Sequence, residues 1–96
     1  MTGIERIAVE RQRQIDAEGW TPEHDANHDP GALSDAAACY ALGRWMPGFW
    51  PFDVEWWKPT PDNRIRELEK AGALIAAEID RLLRDLRVRE FPEVGR

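Results

Sequence analysis

The sequence predicts an all-α fold: a compact bundle of two shorter helices and one long C-terminal helix, with an aromatic-rich loop closing one end. Three observations carry this. Apolar residues recur at three- and four-residue spacing in the opening segment and again from Thr60 to Leu86. Thr, Pro and Gly stand where helices start and stop. No stretch alternates apolar and polar residues as a half-buried strand does. With 96 residues there is chain for one domain, read as residues 1–88, followed by a flexible tail at 89–96.

The first helix opens at Thr2, which with Glu5 has the form of a capping box, each side chain satisfying the other's backbone N–H. Ile4, Ile7, Ala8, Arg11 and Ile15 fall on one side, with Glu10, Arg13 and Asp16 on the others. Gly19 stops the helix, since a left-handed residue costs glycine nothing. Thr21-Pro22 then opens a short turn to Ala26. Asp29-Pro30 repeats the start device, and a second helix of small apolar residues (ALSDAAACYAL) runs from Gly31 to Leu42 and ends at Gly43.

From Arg44 to Thr60 the composition changes. Trp45, Trp50, Trp56 and Trp57, four of the five tryptophans, stand there with Phe49 and Phe52, and Pro47, Gly48, Pro51 and Pro59 prevent regular structure. Two or three of the tryptophans are expected in the core, Trp50 and Phe52 flanking Pro51 first among the aromatics, and one or two at the surface. Thr60-Pro61 opens the last helix, which is expected to run to about Leu86. Ile65, Leu68, Ala71, Leu74, Ile75, Ile79, Leu82 and Leu86 form its apolar stripe, and Arg64, Glu67, Lys70, Glu78, Arg81, Arg84 and Asp85 its polar side.

Composition excludes several function classes. Eighteen acidic residues against thirteen Lys and Arg, a net charge of −5, argue against a partner that is a nucleic-acid polymer. A single cysteine, Cys39, forms no internal disulfide and reads as a packing residue. The charged opening carries no signal-peptide core, and no stretch reaches the apolar length of a membrane span, so a cytoplasmic location away from membrane is expected. No nucleophile–base motif or phosphate-binding loop is present, and the expectation is a protein that is not an enzyme and needs no cofactor.

Three constellations carry chemistry. In Glu23-His24-Asp25-Ala26-Asn27-His28, the histidines share a helical face and could hold a metal for a hydrolase. The glutamate precedes the first histidine, however, unlike the zinc-protease order, and the same residues serve equally as caps of a tight turn. No metal site is expected. Trp56-Trp57-Lys58, followed by Arg64 and Arg66 at a helix start, sets indoles that can stack a base beside cations that can hold phosphate. Arg11 lies on the apolar side of the first helix and must reach toward the Gly19-Trp20-Thr21 corner for an acceptor, either a carboxylate such as Asp25 or a ligand phosphate.

The segments ERQRQIDAEGWTPEHDANH, LSDAAACYAL, WPFDVEWWKP and RELEKAGALIAAEIDRL, in this order, resemble a small protein family of phages and prophages, across roughly residues 10–83. More distantly, Arg13, the Gly19-Trp20-Thr21 corner, a following histidine, a tyrosine and a final helix are similar to the ryanodine-receptor repeat domain; Pro22-Glu23 replaces that family's Tyr-Gly. That second resemblance implies an adenine-nucleotide-type ligand and Arg13, Trp20, His28 and Tyr40 as site residues. Residue chemistry adds Arg11, His24, Trp56, Trp57 and Lys58, the histidines as donors to ribose or phosphate.

The expected function is a non-enzymatic binding protein that captures a nucleotide-derived small molecule, of cyclic-nucleotide or ADP-ribose type, sequestering a host defence signal. The alternative is a protein–protein interaction module acting on a host protein. The apolar stripe of the long helix is open to cover either by the first two helices or by a second copy, which would make a homodimer.

Overall fold

The computed structural model describes residues 1–21 and 29–90. Among these it is all-α: helix α1 spans Gly3–Glu18, α2 Ala32–Leu42 and α3 Arg64–Glu90, with a single 3₁₀ turn at Val54–Trp56 in the loop before α3. The turn expected at 22–26 and the tail beyond Glu90 lie outside the described residues. Among the described residues no helix is long and apolar enough to cross a membrane.

The cap of α1 forms as its residues dictate: Glu5 N donates to Thr2 Oγ1 at 3.2 Å and Thr2 N to Glu5 Oε1 at 2.8 Å. Gly19 and Gly43 close α1 and α2 in the left-handed region, at φ 71° and 76°. Two start signals act elsewhere than expected. Asp29 does not cap α2; Gly31 stands at that position with no side-chain cap bond, and Ser34 Oγ donates back to its carbonyl at 3.0 Å. Thr60-Pro61 belongs to a turn in which Asn63 N donates to Thr60 O at 2.8 Å. Asn63 is then the cap of α3, its Oδ1 accepting from Arg66 N at 3.1 Å, so the helix begins three residues late and also continues a turn past Leu86.

The core sits between α2 and α3. Leu33, Ala36, Ala37 and Tyr40 of α2 pack on Ala71, Leu74 and Ala77 of α3, and Trp20, Trp50, Phe52 and Trp57 close over them. The facing alanines let the helices approach closely, and the loop aromatics add the bulk that so small a core lacks. Cys39 is fully buried. The tyrosine and tryptophans form one cluster: Tyr40 to Trp57 is 4.6 Å between ring centroids, Trp50 to Trp57 5.2 Å and Trp50 to Phe52 5.6 Å. Trp45 and Trp56 remain largely exposed.

Two expected apolar stripes turn out differently. On α1, Ile4 is exposed, and the fully buried residues are Glu10 and Gln14. The reason is ionic: α3 presents Arg66 and Glu69 to α1, and Arg66 reaches Glu10 at 2.7 Å while Arg6 reaches Glu69 at 3.2 Å. On α3, only Ala71 and Leu74 of the stripe are buried, together with Ala73, Ala77 and, from the polar side, Glu67 and Glu78. Ile65, Leu68, Ile75, Ile79, Leu82 and Leu86 stay exposed, because the α2 contact selects small side chains and draws in the alanine face of α3.

Candidate functional site

Gly19 turns the chain at the end of α1 so that Trp20 lies over the core, and Arg11 Nη1 donates to the Trp20 carbonyl at 3.1 Å. Arg11 therefore reaches the corner as its position required, with the Trp20 carbonyl as an acceptor among the described residues. From the opposite side the 3₁₀ turn brings Trp56 and then Lys58 toward the end of α1. Between them opens a cavity of about 300 Å³ lined by Glu18, Trp20, Leu33, Phe52, Asp53, Trp56 and Leu74. Among the described residues, leucines and aromatic rings make its walls and two carboxylates are its charged groups.

Glu18, Trp20 and Trp56 also border a second, smaller cavity of about 20 Å³, completed by Arg13, Gln14, Tyr40, Lys58 and Lys70. Here the charge reverses. Two cations converge on one carboxylate, Lys58 Nζ at 3.5 Å from Glu18 Oε2 and Arg13 Nη1 at 3.4 Å from Glu18 Oε1, and Lys70 stands beside them. Lys58 also stands over the Trp56 ring at 5.4 Å and Lys70 over the Tyr40 ring at 5.5 Å. The space suffices for one water, and the buried Gln14 Oε1 has no hydrogen-bond partner among the described residues.

These side chains are held from behind. Tyr40 OH accepts from Lys58 N at 3.1 Å, and Lys70 Nζ donates to Lys58 O at 2.7 Å, so both backbone polar groups of Lys58 are fixed. Burial pushes the Tyr40 phenol up, the Lys58 N–H opposes this, and the Glu18 carboxylate adds to the rise. Burial and then the neighbouring Arg66 push the Lys70 ammonium down. Arg13 is anchored by Glu10, Nε to Oε1 at 2.7 Å and Nη2 to Oε2 at 3.0 Å. Glu10 itself is opposed by burial, yet hydrogen bonds from Arg13 and Arg66 outweigh that and hold its carboxyl below the usual value.

Of the residues expected at a site, Arg13, Trp20, Tyr40, Trp56 and Lys58 surround these joined cavities. Trp57 is packed in the aromatic cluster against Tyr40 and Trp50. His24 and His28 lie outside the described residues. The anion site expected at the start of α3 is not built there: Arg64 is occupied by the Tyr40 and Ala41 carbonyls and Glu67, and Arg66 by Glu10 and Glu69. Among the described residues no group of His, Cys, Asp and Glu is gathered as for a metal ion.

Sequence reasoning passed over Gln14, Glu18, Lys70 and Asp53. Only Lys70 had a visible signal, a cation one turn beyond Arg66 on the same side of α3. No protein-family model, characterised protein or solved structure matches the chain.

Proposed function

We propose that the protein captures a nucleotide-derived small molecule without transforming it. The observation that carries this reading is the pairing of an aromatic-walled cavity of about 300 Å³ with an adjoining cluster of Arg13, Lys58 and Lys70. That volume is at the lower end of the roughly 300–1,000 Å³ of small-molecule sites. A purine entering between Trp20 and Trp56 would stack on indole and offer its exocyclic amine to Asp53 or Glu18. Phosphate would then reach Lys58, Lys70 and Arg13, taking Lys58 and Arg13 over from Glu18. Sequestration of a phage host's defence signal is the role the family resemblance supports, and a binder that only holds its ligand needs no nucleophile or base.

The experiment is a tryptophan-fluorescence titration with AMP, ADP-ribose and cyclic di-AMP. Saturable quenching is expected with at least one of them, lost in Trp56→Ala and in Lys58→Ala while the thermal transition stays nearly in place. Undiminished quenching in both variants would refute the site.

A second reading, a protein-binding module, is favoured by one specific feature: Trp45 and Phe49 project from the loop at 43% and 56% exposure. Such aromatics are common interface anchors. A host protein retained on the wild type and lost on Trp45→Ala with Phe49→Ala would support it.

A further inference from the structure

Residues 65, 68, 72, 75, 79, 82 and 86 of α3 alternate steps of three and four, the spacing of a seam between two helices. Ile65, Leu68, Ile75, Ile79, Leu82 and Leu86 on this line are all between 46% and 60% exposed. At Gly72 the gap is filled from α1, since Ile7 Cδ1 lies 2.5 Å from where a Cβ would stand. The apolar line is therefore continuous over about 32 Å of helix at 1.5 Å per residue.

Among the described residues α1 covers it only at Gly72, through Ile7, and the side chains on either side of that point stay half-exposed. Both α1 and α2 run antiparallel to α3, as the Glu10–Arg66 and Arg6–Glu69 pairs and the Arg64 bond to the Tyr40 carbonyl require. The last buried position among the described side chains of α3 is Glu78. Beyond it Ile79, Leu82, Leu83, Leu86 and Val88 are exposed on three further turns.

We infer that this face is the interface of a homodimer in which the α3 helices of two copies pack antiparallel. The area fits: these half-exposed aliphatic side chains and their flanks sum to on the order of 700 Å², close to the ~800 Å² each partner contributes to a standard interface. It also exceeds the roughly 300–600 Å² patch that a monomer ordinarily leaves bare.

Antiparallel packing lays the overhanging turns of one copy, with Leu82 and Leu86, on Ile65 and Leu68 beside the body of the other. It also brings Arg64 at one end of α3 toward Asp85 near the other, whereas a parallel pair would stack Gly72 on Gly72. A net charge of −5 and the absence of tryptophan from this face argue against a lipid surface as occupant. The inference is independent of the ligand cavity, whose lining residues, Lys70 and Leu74 of α3 included, lie off this line.

Sedimentation equilibrium tests it. The expected mass at micromolar concentration is twice the 11.1 kDa of the chain. Ile79→Glu with Leu82→Glu is expected to give a folded monomer, its helical circular dichroism retained, because both side chains lie beyond the buried part of α3; Leu68→Glu on the opposite half gives the same result. Oxidation of a mixture of Leu68→Cys and Leu82→Cys chains is expected to cross-link one to the other, with buried Cys39 unreactive. A monomeric wild type, a dimer indifferent to these glutamates, or Leu68→Cys chains linking only to themselves would overturn the inference. Uptake of the wild type by phosphatidylcholine vesicles in place of self-association would overturn it equally.

Discussion

Replacing Glu10 by Gln removes one charge and leaves the shape unchanged, which makes it the sharpest probe of how α1 is held. The Glu10 carboxylate is 2% exposed and takes bonds from Arg13 at 2.7 and 3.0 Å, Arg66 at 2.7 Å and Gln14 Nε2 at 3.1 Å. Breaking a buried pair from one side typically costs about 3–5 kcal/mol. Two facts reduce that here. The Arg13 and Arg66 side chains are 40% and 25% exposed, and each keeps a second carboxylate, Glu18 at 3.4 Å and Glu69 at 3.1 Å. Against this, the new amide N–H group faces other donors. The balance is a loss of about 2 kcal/mol, or on the order of 10 °C in Tm for a domain of this size.

Urea unfolding measures the first and calorimetry the second. The pH dependence supplies an internal check. Because the folded-state pKa of Glu10 is lowered, the unfolded chain binds the extra proton, so the contribution is present above about 4.3 and lost as pH falls through the folded value. The gap between wild type and Glu10→Gln must therefore narrow as the pH drops below about 4.3. A loss under about 0.5 kcal/mol, the scale of an exposed pair, or a gap that does not change with pH, would refute the ionic account of α1 docking.

Gly72→Ala places a methyl 2.5 Å from Ile7 Cδ1 and 2.7 Å from Cγ1, an overlap expected to outweigh the gain of about 1 kcal/mol in helix propensity. In urea unfolding, Ile7→Ala should relieve that loss, giving a favourable coupling in the double-mutant cycle; additive effects would contradict the contact. Tyr40→Phe removes the acceptor of the Lys58 N–H and a phenol whose pKa is raised by burial. Wild-type stability should fall as pH rises above about 10, where only the unfolded phenol ionises, and the variant should show a flatter alkaline limb in the same unfolding assay.

Much of the architecture was legible because it depends on local chemistry. The Thr2–Glu5 box and the glycines at 19 and 43 act through their own backbone, whatever packs around them. The start of α3 was misplaced because Thr60-Pro61 and Asn63 both carry start signals, and the Thr60–Asn63 turn assigns the cap to the second. The buried faces were harder, since burial is decided by the partner. Glu10 and Gln14 are inside because Arg66 sits opposite, and Ile79 and Leu82 are outside because α2 ends before them.

The site shows the same division. Trp20, Trp56 and Lys58 stood out as stacking and charged groups, whereas Glu18, Asp53 and Lys70 join them only through the relative placement of α1, the loop and α3. The aromatic loop is divided, as its composition suggested, with Trp50 and Trp57 packed inward and Trp45 and Trp56 outward, although Trp57 was expected beside Trp56 at the ligand.

The central claim, that the joined cavities bind a nucleotide-derived molecule, is tested most directly by thermal shift against linear nucleotides, cyclic dinucleotides and trinucleotides, and ADP-ribose. A ligand at 100 times its dissociation constant stabilises the fold by about 2.7 kcal/mol, on the order of 10 °C here. The account predicts a shift of that size from one ligand class, absent in Lys58→Ala. A flat panel at millimolar ligand would contradict it.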